Sequence, residues 1–394
     1  MSKGRSTDVV IVGGAAAGAA IAHKLAEQGK RVVLFCRTDV PGATDSNQKW
    51  LHSGLLYPSG TLAARAWSNR LQDWGIKRPY VVGPDNACIL ALKSATIRER
   101  VKMWGQWKAD GLTIPEAQPL GPDDRKRLRS LGLRFKDGWV TPDCAIDFPA
   151  LVRDMRLNLV GQLRKNSHLP QPKTRGRVIE GARVLRLSRG RDGISGVVYE
   201  WTGEQRSLSC NQCIVAAGAW SLELLKDIEV PLPLIRKKCA VVVFRRKQLN
   251  VDKITVWLDV TKEDGTIGDF TLVPFKTQTL AAGPDFKVVY QLPQGRKLEH
   301  LKVGRSEVET VGGELRQCIS ASLAKRLKPS DGSARVCFKT EQYNPSHPDV
   351  DIKVYTQNAG IGDRGHGVRG LTVALPGKAS LMFDLAREVS KCVP

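Results

Sequence analysis

The chain has 394 residues, 42% of them hydrophobic, which is ample for a sizeable core and predicts two or three lobes. No apolar run approaches the roughly 18 residues a membrane span needs, and residues 1–8 carry no apolar stretch ahead of a cleavage site, which argues against a secretory leader. The net charge of +22, from 61 Lys+Arg against 39 Asp+Glu, calls for anionic company: a metabolite, a nucleic acid or an anionic lipid surface.

Nine cysteines, an odd number without a repeating spacing, fit a reducing compartment, so a cytoplasmic location is expected. The one close pair, Cys210 and Cys213, has no second CxxC or His pair beside it, and no metal site is expected. Basic residues are spread along the chain with short clusters at 125–129, 236–238 and 245–247.

In chain order, the first signal is the β-branched run Val9, Val10, Ile11 and Val12, which reads as a strand buried on both faces. It runs into Gly13-Gly14-Ala15-Ala16-Ala17-Gly18 and an Ala-rich helix with Ile21 and Leu25 one turn apart, closed by Gly29. A second apolar strand follows at 32–35. In such a βαβ unit the first glycine permits the tight bend and the second lets the backbone approach a pyrophosphate. The third lets helix pack on strand, and the pyrophosphate rests on the helix N-terminus. The unit therefore predicts a dinucleotide site. It departs from the pattern twice: Ala15 stands at the second glycine position. Cys36 stands where an acidic residue about twenty residues past the turn binds the ribose. Ribose recognition is expected to be weaker, or to come from Arg37, Thr38 or backbone groups.

Next comes a Ser/Thr-rich turn and the string Lys49, His52, Gly54, Leu55 and Tyr57 within residues 42–57. Residues 181–187 alternate as a strand should. Residues 213–215 form an apolar strand ending in Ala216-Ala217-Gly218-Ala219-Trp220-Ser221. Near the end, a glycine-rich stretch at 360–367 precedes an apolar strand, the turn Gly377-Lys378-Ala379-Ser380 and an amphipathic helix.

Together these segments resemble the D-amino-acid-oxidase-type FAD-dependent oxidoreductase superfamily, and within it the glycerol-3-phosphate dehydrogenase and L-2-hydroxyglutarate dehydrogenase branch. The resemblance covers about half the chain. It implies FAD as cofactor and an α/β fold: a Rossmann-like FAD-binding domain of residues 1–75, 150–225 and 350–394. An inserted α+β substrate domain of residues 76–149 and 226–349, dominated by a mixed or antiparallel sheet, completes it. By resemblance the cofactor residues are Gly13, Gly14, Ala15, Gly18, Cys36, Arg37, Thr44, Ser46, Asn47, Lys49, His52, Gly54, Val184, Ala217, Gly218, Trp220, Gly377, Lys378, Ala379 and Ser380. Val184 would meet the adenine edge through its backbone, and the turn at 377–380 would face the flavin.

The chemistry so implied is hydride transfer from a CH–OH (or CH–NH) carbon of an anionic substrate to flavin N5, the protein supplying orientation and a proton acceptor. His52 and His366 are the candidates for the proton, since imidazole titrates near neutral pH. Arg364 is a candidate clamp for a carboxylate or phosphate. Tyr57 and Lys339 are candidate substrate contacts, Lys339 standing where family members often carry an arginine. The substrate is expected to be a small or carrier-tethered anion, with oxygen or quinone as electron acceptor and peripheral membrane contact left open. Three alternatives stand beside this: the amine-oxidising branch, a nucleic-acid-associated flavoprotein, and a non-enzymatic descendant that has lost tight FAD binding.

Overall fold

Crowding at Cβ favours extended backbone in Val9, Val10, Ile11 and Val12, and all four are buried, so β1 (Val9–Val12) is covered on both faces. The computed structural model describes residues 9–39, 42–74, 79–83, 86–162, 169–230, 232–283, 287–289, 302–327, 333–342, 351–357, 359–360, 363–364, 367–377 and 381–394. Helix α1 (Ala16–Glu27) follows, most of its residues buried. It ends in a Schellman motif: Lys30 N–H donates to the Leu25 carbonyl and Gly29 N–H to that of Ala26, with Gly29 at φ +91°. The chain returns as β2 (Val32–Cys36), parallel to β1.

β1 sits inside an eight-stranded sheet. On one side lie β2 and Arg177–Glu180; on the other lie Cys213–Val215, Leu371–Leu375, Lys353–Tyr355, Ala359–Gly360 and Asp363–Arg364. The strands from Arg177–Glu180 through Leu371–Leu375 are parallel, and the rest form an antiparallel edge. Helices Phe148–Leu159 and Met382–Cys392 pack on α1, so that Ile21, Leu25, Phe148 and Leu385 share one core on that face. An antiparallel three-stranded sheet (Arg183–Gly190, Gly193–Trp201, Glu204–Ser209) belongs to the core of the opposite face, where Phe35 meets Tyr199.

A nine-stranded mixed sheet is built from residues 87–141 and 234–342. Its long strand Leu234–Arg245 pairs antiparallel with Ser333–Gln342 over ten residue pairs. Both faces are covered, one by Val241, Val256 and Trp104, the other by Val242, Trp257 and Phe270. A small sheet couples the two large ones: Trp50–Leu51 pairs with Cys144–Ile146, which follows the nine-stranded sheet's strand Asp137–Thr141 directly. The fold is thus mixed α/β, with a parallel-centred sheet and a larger, mainly antiparallel one. Among the described residues no helix is long and apolar enough to cross a membrane.

Candidate functional site

The turn after β1 is shaped by contacts that only glycine tolerates. Gly13 has φ +112°, and a Cβ there would lie 2.4 Å from the Ala216 carbonyl oxygen. A Cβ on Gly14 would lie 1.9 Å from Cys36 Sγ, and one on Gly18 1.7 Å from the Gly13 carbonyl oxygen. Ala15 has an ordinary extended backbone, φ −75°, so its methyl group introduces no strain. It is the N-cap of α1 yet makes no side-chain cap, and the first turn of α1 holds no acidic residue. Thr44 Oγ1 accepts from Ala16 N–H at 3.1 Å, which leaves other N-terminal donors of α1 for an anion.

A cavity of about 1280 Å³ opens at this turn and extends to the nine-stranded sheet. Gly13, Gly14, Ala15, Arg37, Thr44, Asn47, Lys49, His52, Tyr57, Val184, Ala217, Gly218, Trp220 and Gly377 all line it. Gly18, Cys36, Ser46 and Gly54 do not. Gly54, at φ +98°, packs against the Ala63 backbone. Cys36 is fully buried beneath Gly14, and burial pushes its thiol up to about 11. The side chains of Lys339 and Arg364, and residues His366, Lys378, Ala379 and Ser380, lie outside the described ones.

At the end of β2 the cavity meets Arg37 and Asp39 instead of Cys36. Arg37 grips Asp39 with two hydrogen bonds, Nε to Oδ1 at 2.7 Å and Nη2 to Oδ2 at 2.8 Å, and these hold the carboxyl below its usual range. The same guanidinium lies 5.8 Å from the centre of the Trp220 ring. Among the described residues Trp220 Nε1 is buried without a hydrogen-bond partner. Arg236 fixes that turn, donating from Nε to the Ala219 carbonyl at 2.7 Å and pairing with Glu223 at 2.5 Å.

Lys49 is 2% exposed. Its Nζ donates to the carbonyls of Thr44 and Asp45, and burial lowers its pKa to about 8. His52 stacks on Trp50 with ring centres 3.7 Å apart, and Tyr57 follows at 5.6 Å. Asp143 holds this segment from below. It accepts from Trp50 Nε1 (3.1 Å), Ser53 N (2.7 Å), Ser53 Oγ (2.9 Å) and Thr141 Oγ1 (2.6 Å).

The far wall is made of residues that sequence reasoning missed. Lys237 pairs with the buried Glu341 at 2.6 Å, and Arg100, Asp269 and Thr271 lie on the same cavity. Burial pulls the Arg100 guanidinium below its usual range while Asp269 holds it up. Beside the glycine turn, Arg156 also lines the cavity and donates from Nε to the Gly14 carbonyl at 2.9 Å. None of these sits in a recognisable motif; alternation along a strand gives a face, but not which face meets the cavity.

Residues 8–376 match the family described as FAD dependent oxidoreductase. The chain belongs to that family. Among curated relatives, this FAD-dependent oxidoreductase is similar to one subunit of the anaerobic glycerol-3-phosphate dehydrogenase of Escherichia coli (strain K12). The two are 26% identical over 247 residues, which is 61% of this chain and 42% of that protein. The chain thus spans less than half the length of that curated relative. Among solved structures it resembles glycerol-3-phosphate dehydrogenase from Bacillus halodurans, complexed with FAD, with a TM-score of 0.70 at 13% identity. That match covers 99% of this chain and 64% of the other. It also resembles NikD, an unusual amino acid oxidase essential for nikkomycin biosynthesis, with a TM-score of 0.71 at 16% identity over 99% and 94% of the chains.

The residues present suit FAD. Gly13 and Gly14 let the turn pack closely on Ala216 and Cys36 while its backbone lines the cavity, the start of α1 lacks a side-chain cap of its own, and Trp220, whose buried Nε1 has no hydrogen-bond partner among the described residues, also lines the cavity.

Proposed function

We propose that the protein binds FAD along the wall from Gly13 to Gly377 and oxidises a CH–OH carbon of a small anionic substrate held against the nine-stranded sheet. The observation that carries this is the continuity of one cavity from the α1 N-terminus to Lys237 and Arg100. The flavin, when bound, supplies the two-electron acceptor for a hydride leaving the substrate carbon. On this reading residues 1–75, 150–225 and 350–394 serve the cofactor, and 76–149 with 226–349 serve the substrate.

The chain's own groups divide the work. The α1 N-terminus and the Gly13–Gly14 backbone neutralise a pyrophosphate. Asp39, fixed by Arg37, offers the cavity a carboxylate at the end of β2, where Cys36 does not reach. Lys49, Lys237 and Arg100 provide positive charge along the route. His52, steadied by its stack on Trp50, is the candidate to take the substrate hydroxyl proton. A second reading, oxidation at a carbon bearing nitrogen, is favoured by Glu341 and Asp269, since a substrate ammonium would find carboxylates on the same wall.

The test is the visible spectrum of the purified protein, or of protein incubated with FAD, followed by anaerobic titration with anionic hydroxy acids, phosphorylated alcohols and amino acids. A flavin spectrum bleached by one of these classes supports the reading. A protein that takes up no FAD would overturn it.

A further inference from the structure

Cys239 and Cys337 face each other across the antiparallel ladder formed by Leu234–Arg245 and Ser333–Gln342. Opposed residues in such a ladder have Cα atoms about 4.5–5.5 Å apart and side chains on the same face. Disulfides need a Cα separation of about 4.4–6.8 Å, so the register alone brings this pair within bonding range. Both residues are thiols in this structure, both are mostly buried, and both line the cavity. None of the other cysteines does: Cys210 and Cys213, the other close pair, lie in the core away from it.

We propose that Cys239 and Cys337 form a redox-active dithiol on the cavity wall, which closes to an intrachain disulfide with small-molecule disulfides as the oxidant. One thiolate attacks a sulfur of the small disulfide, forming a mixed disulfide and expelling one thiolate. The facing cysteine then attacks the protein sulfur of that mixed disulfide and expels the second. The two cysteines lose two electrons and two protons; the small disulfide becomes two thiols. Either cysteine can begin, since both line the cavity. Both belong to a hydrophobic core but also line the cavity, which gives the oxidant its path. The inference goes beyond the flavoprotein reading and does not depend on it, since no step involves the cofactor.

The experiment equilibrates the full-length protein in glutathione buffers from reducing to oxidising, quenches with acid, alkylates and maps peptides by mass spectrometry. The expected result is a peptide pair joined through Cys239 and Cys337 and two hydrogens lighter than the separate thiols. Both alkylation sites should be lost together, and dithiothreitol should restore them. In Cys239→Ser the closing thiol is gone, so Cys337 should accumulate as a mixed disulfide with glutathione. Three results would overturn the proposal: full alkylation of both cysteines under oxidising conditions, stable mixed disulfides in the wild-type protein, or a cross-link joining only Cys210 to Cys213. The series is run with and without added FAD, since a cofactor in the same cavity would cover the path to the two cysteines; the cross-link formed without FAD decides the proposal whether or not FAD binds.

Discussion

A glutamate at position 36 would meet the requirement of a dinucleotide fold for a ribose acceptor, but the space is taken. The Cys36 thiol already lies where a Gly14 Cβ would come within 1.9 Å of it, and the residue is fully buried. Cys36→Glu should therefore lower stability by about 1–3 kcal/mol through overpacking, with a further cost for any carboxylate left charged there. Urea unfolding measures this, and unchanged stability would show that the turn can open. On the proposed function Asp39, which lines the cavity, is the acceptor instead. Asp39→Asn should weaken FAD binding roughly tenfold, toward the lower end of what a hydrogen bond to a charged group contributes; isothermal titration with FAD reads the loss directly.

Lys49 gives a test by pH. Its folded-state pKa of about 8 lies below the usual 10.5 because burial disfavours the ammonium. Below pH 8 both folded and unfolded chains hold this proton, so Lys49 adds no slope. Between about 8 and 10.5 the unfolded chain holds it and the folded chain does not, so the Lys49 contribution to stability rises with pH. Unfolding free energies of wild type and Lys49→Met at pH 7.5 and 9.5 should diverge accordingly, the wild type gaining relative to the variant. Parallel pH curves would mean that the ammonium is retained.

At the level of elements, the segment carrying Trp50, His52 and Tyr57 has little regular structure of its own: Trp50–Leu51 is only two residues long. Asp143 compensates, accepting four hydrogen bonds from Trp50, Ser53 and Thr141. Asp143→Ala would leave several buried donors unpaired and should cost about 2–4 kcal/mol, while Asp143→Asn, which keeps one acceptor oxygen, should cost less. If FAD affinity also falls in Asp143→Ala but not in a Phe270→Leu core control of similar instability, the loop's position, and not global stability, governs the site. Equal losses would remove that distinction.

At the scale of the molecule, the net charge of +22 is partly spoken for locally. Arg127 pairs with Asp124 and Asp252, and Arg125 with Asp137, so the 125–129 cluster is not a bare basic patch. What remains acts as a field. At physiological ionic strength the Debye length is about 8 Å, so steering of an anion should fade with added salt. The expected outcome is a fall in kcat/KM with salt at nearly constant kcat. Arg100→Ala, on the cavity wall, should raise KM more than Arg305→Ala, whose side chain is 92% exposed beside Glu309. Salt-independent turnover with equal effects of the two substitutions would detach the positive charge from the reaction and point to a macromolecular partner.

The sequence by itself determined the local units whose signal is short-range. The β-branched run of β1, the glycine-rich turn that follows it, the cap at Gly29 and the small-residue turn after Cys213–Val215 are each legible within a few residues, although the contacts that require Gly13 and Gly14, with Ala216 and Cys36, are long-range. They were enough to predict a dinucleotide fold; the cofactor residues rested on the family resemblance that these segments carry. Tertiary structure alone decided the far wall and the exceptions. Lys237, Glu341, Cys239 and Cys337 meet because two strands about a hundred residues apart pair in one register, and a slip of one residue would turn one strand's pair away from the other's. Cys36 lies off the cavity, its thiol packed beneath Gly14, while Asp39 lies on it. Asp143 and Arg156 matter because distant backbone and side-chain groups come to them, and no pattern in their own neighbourhoods records that.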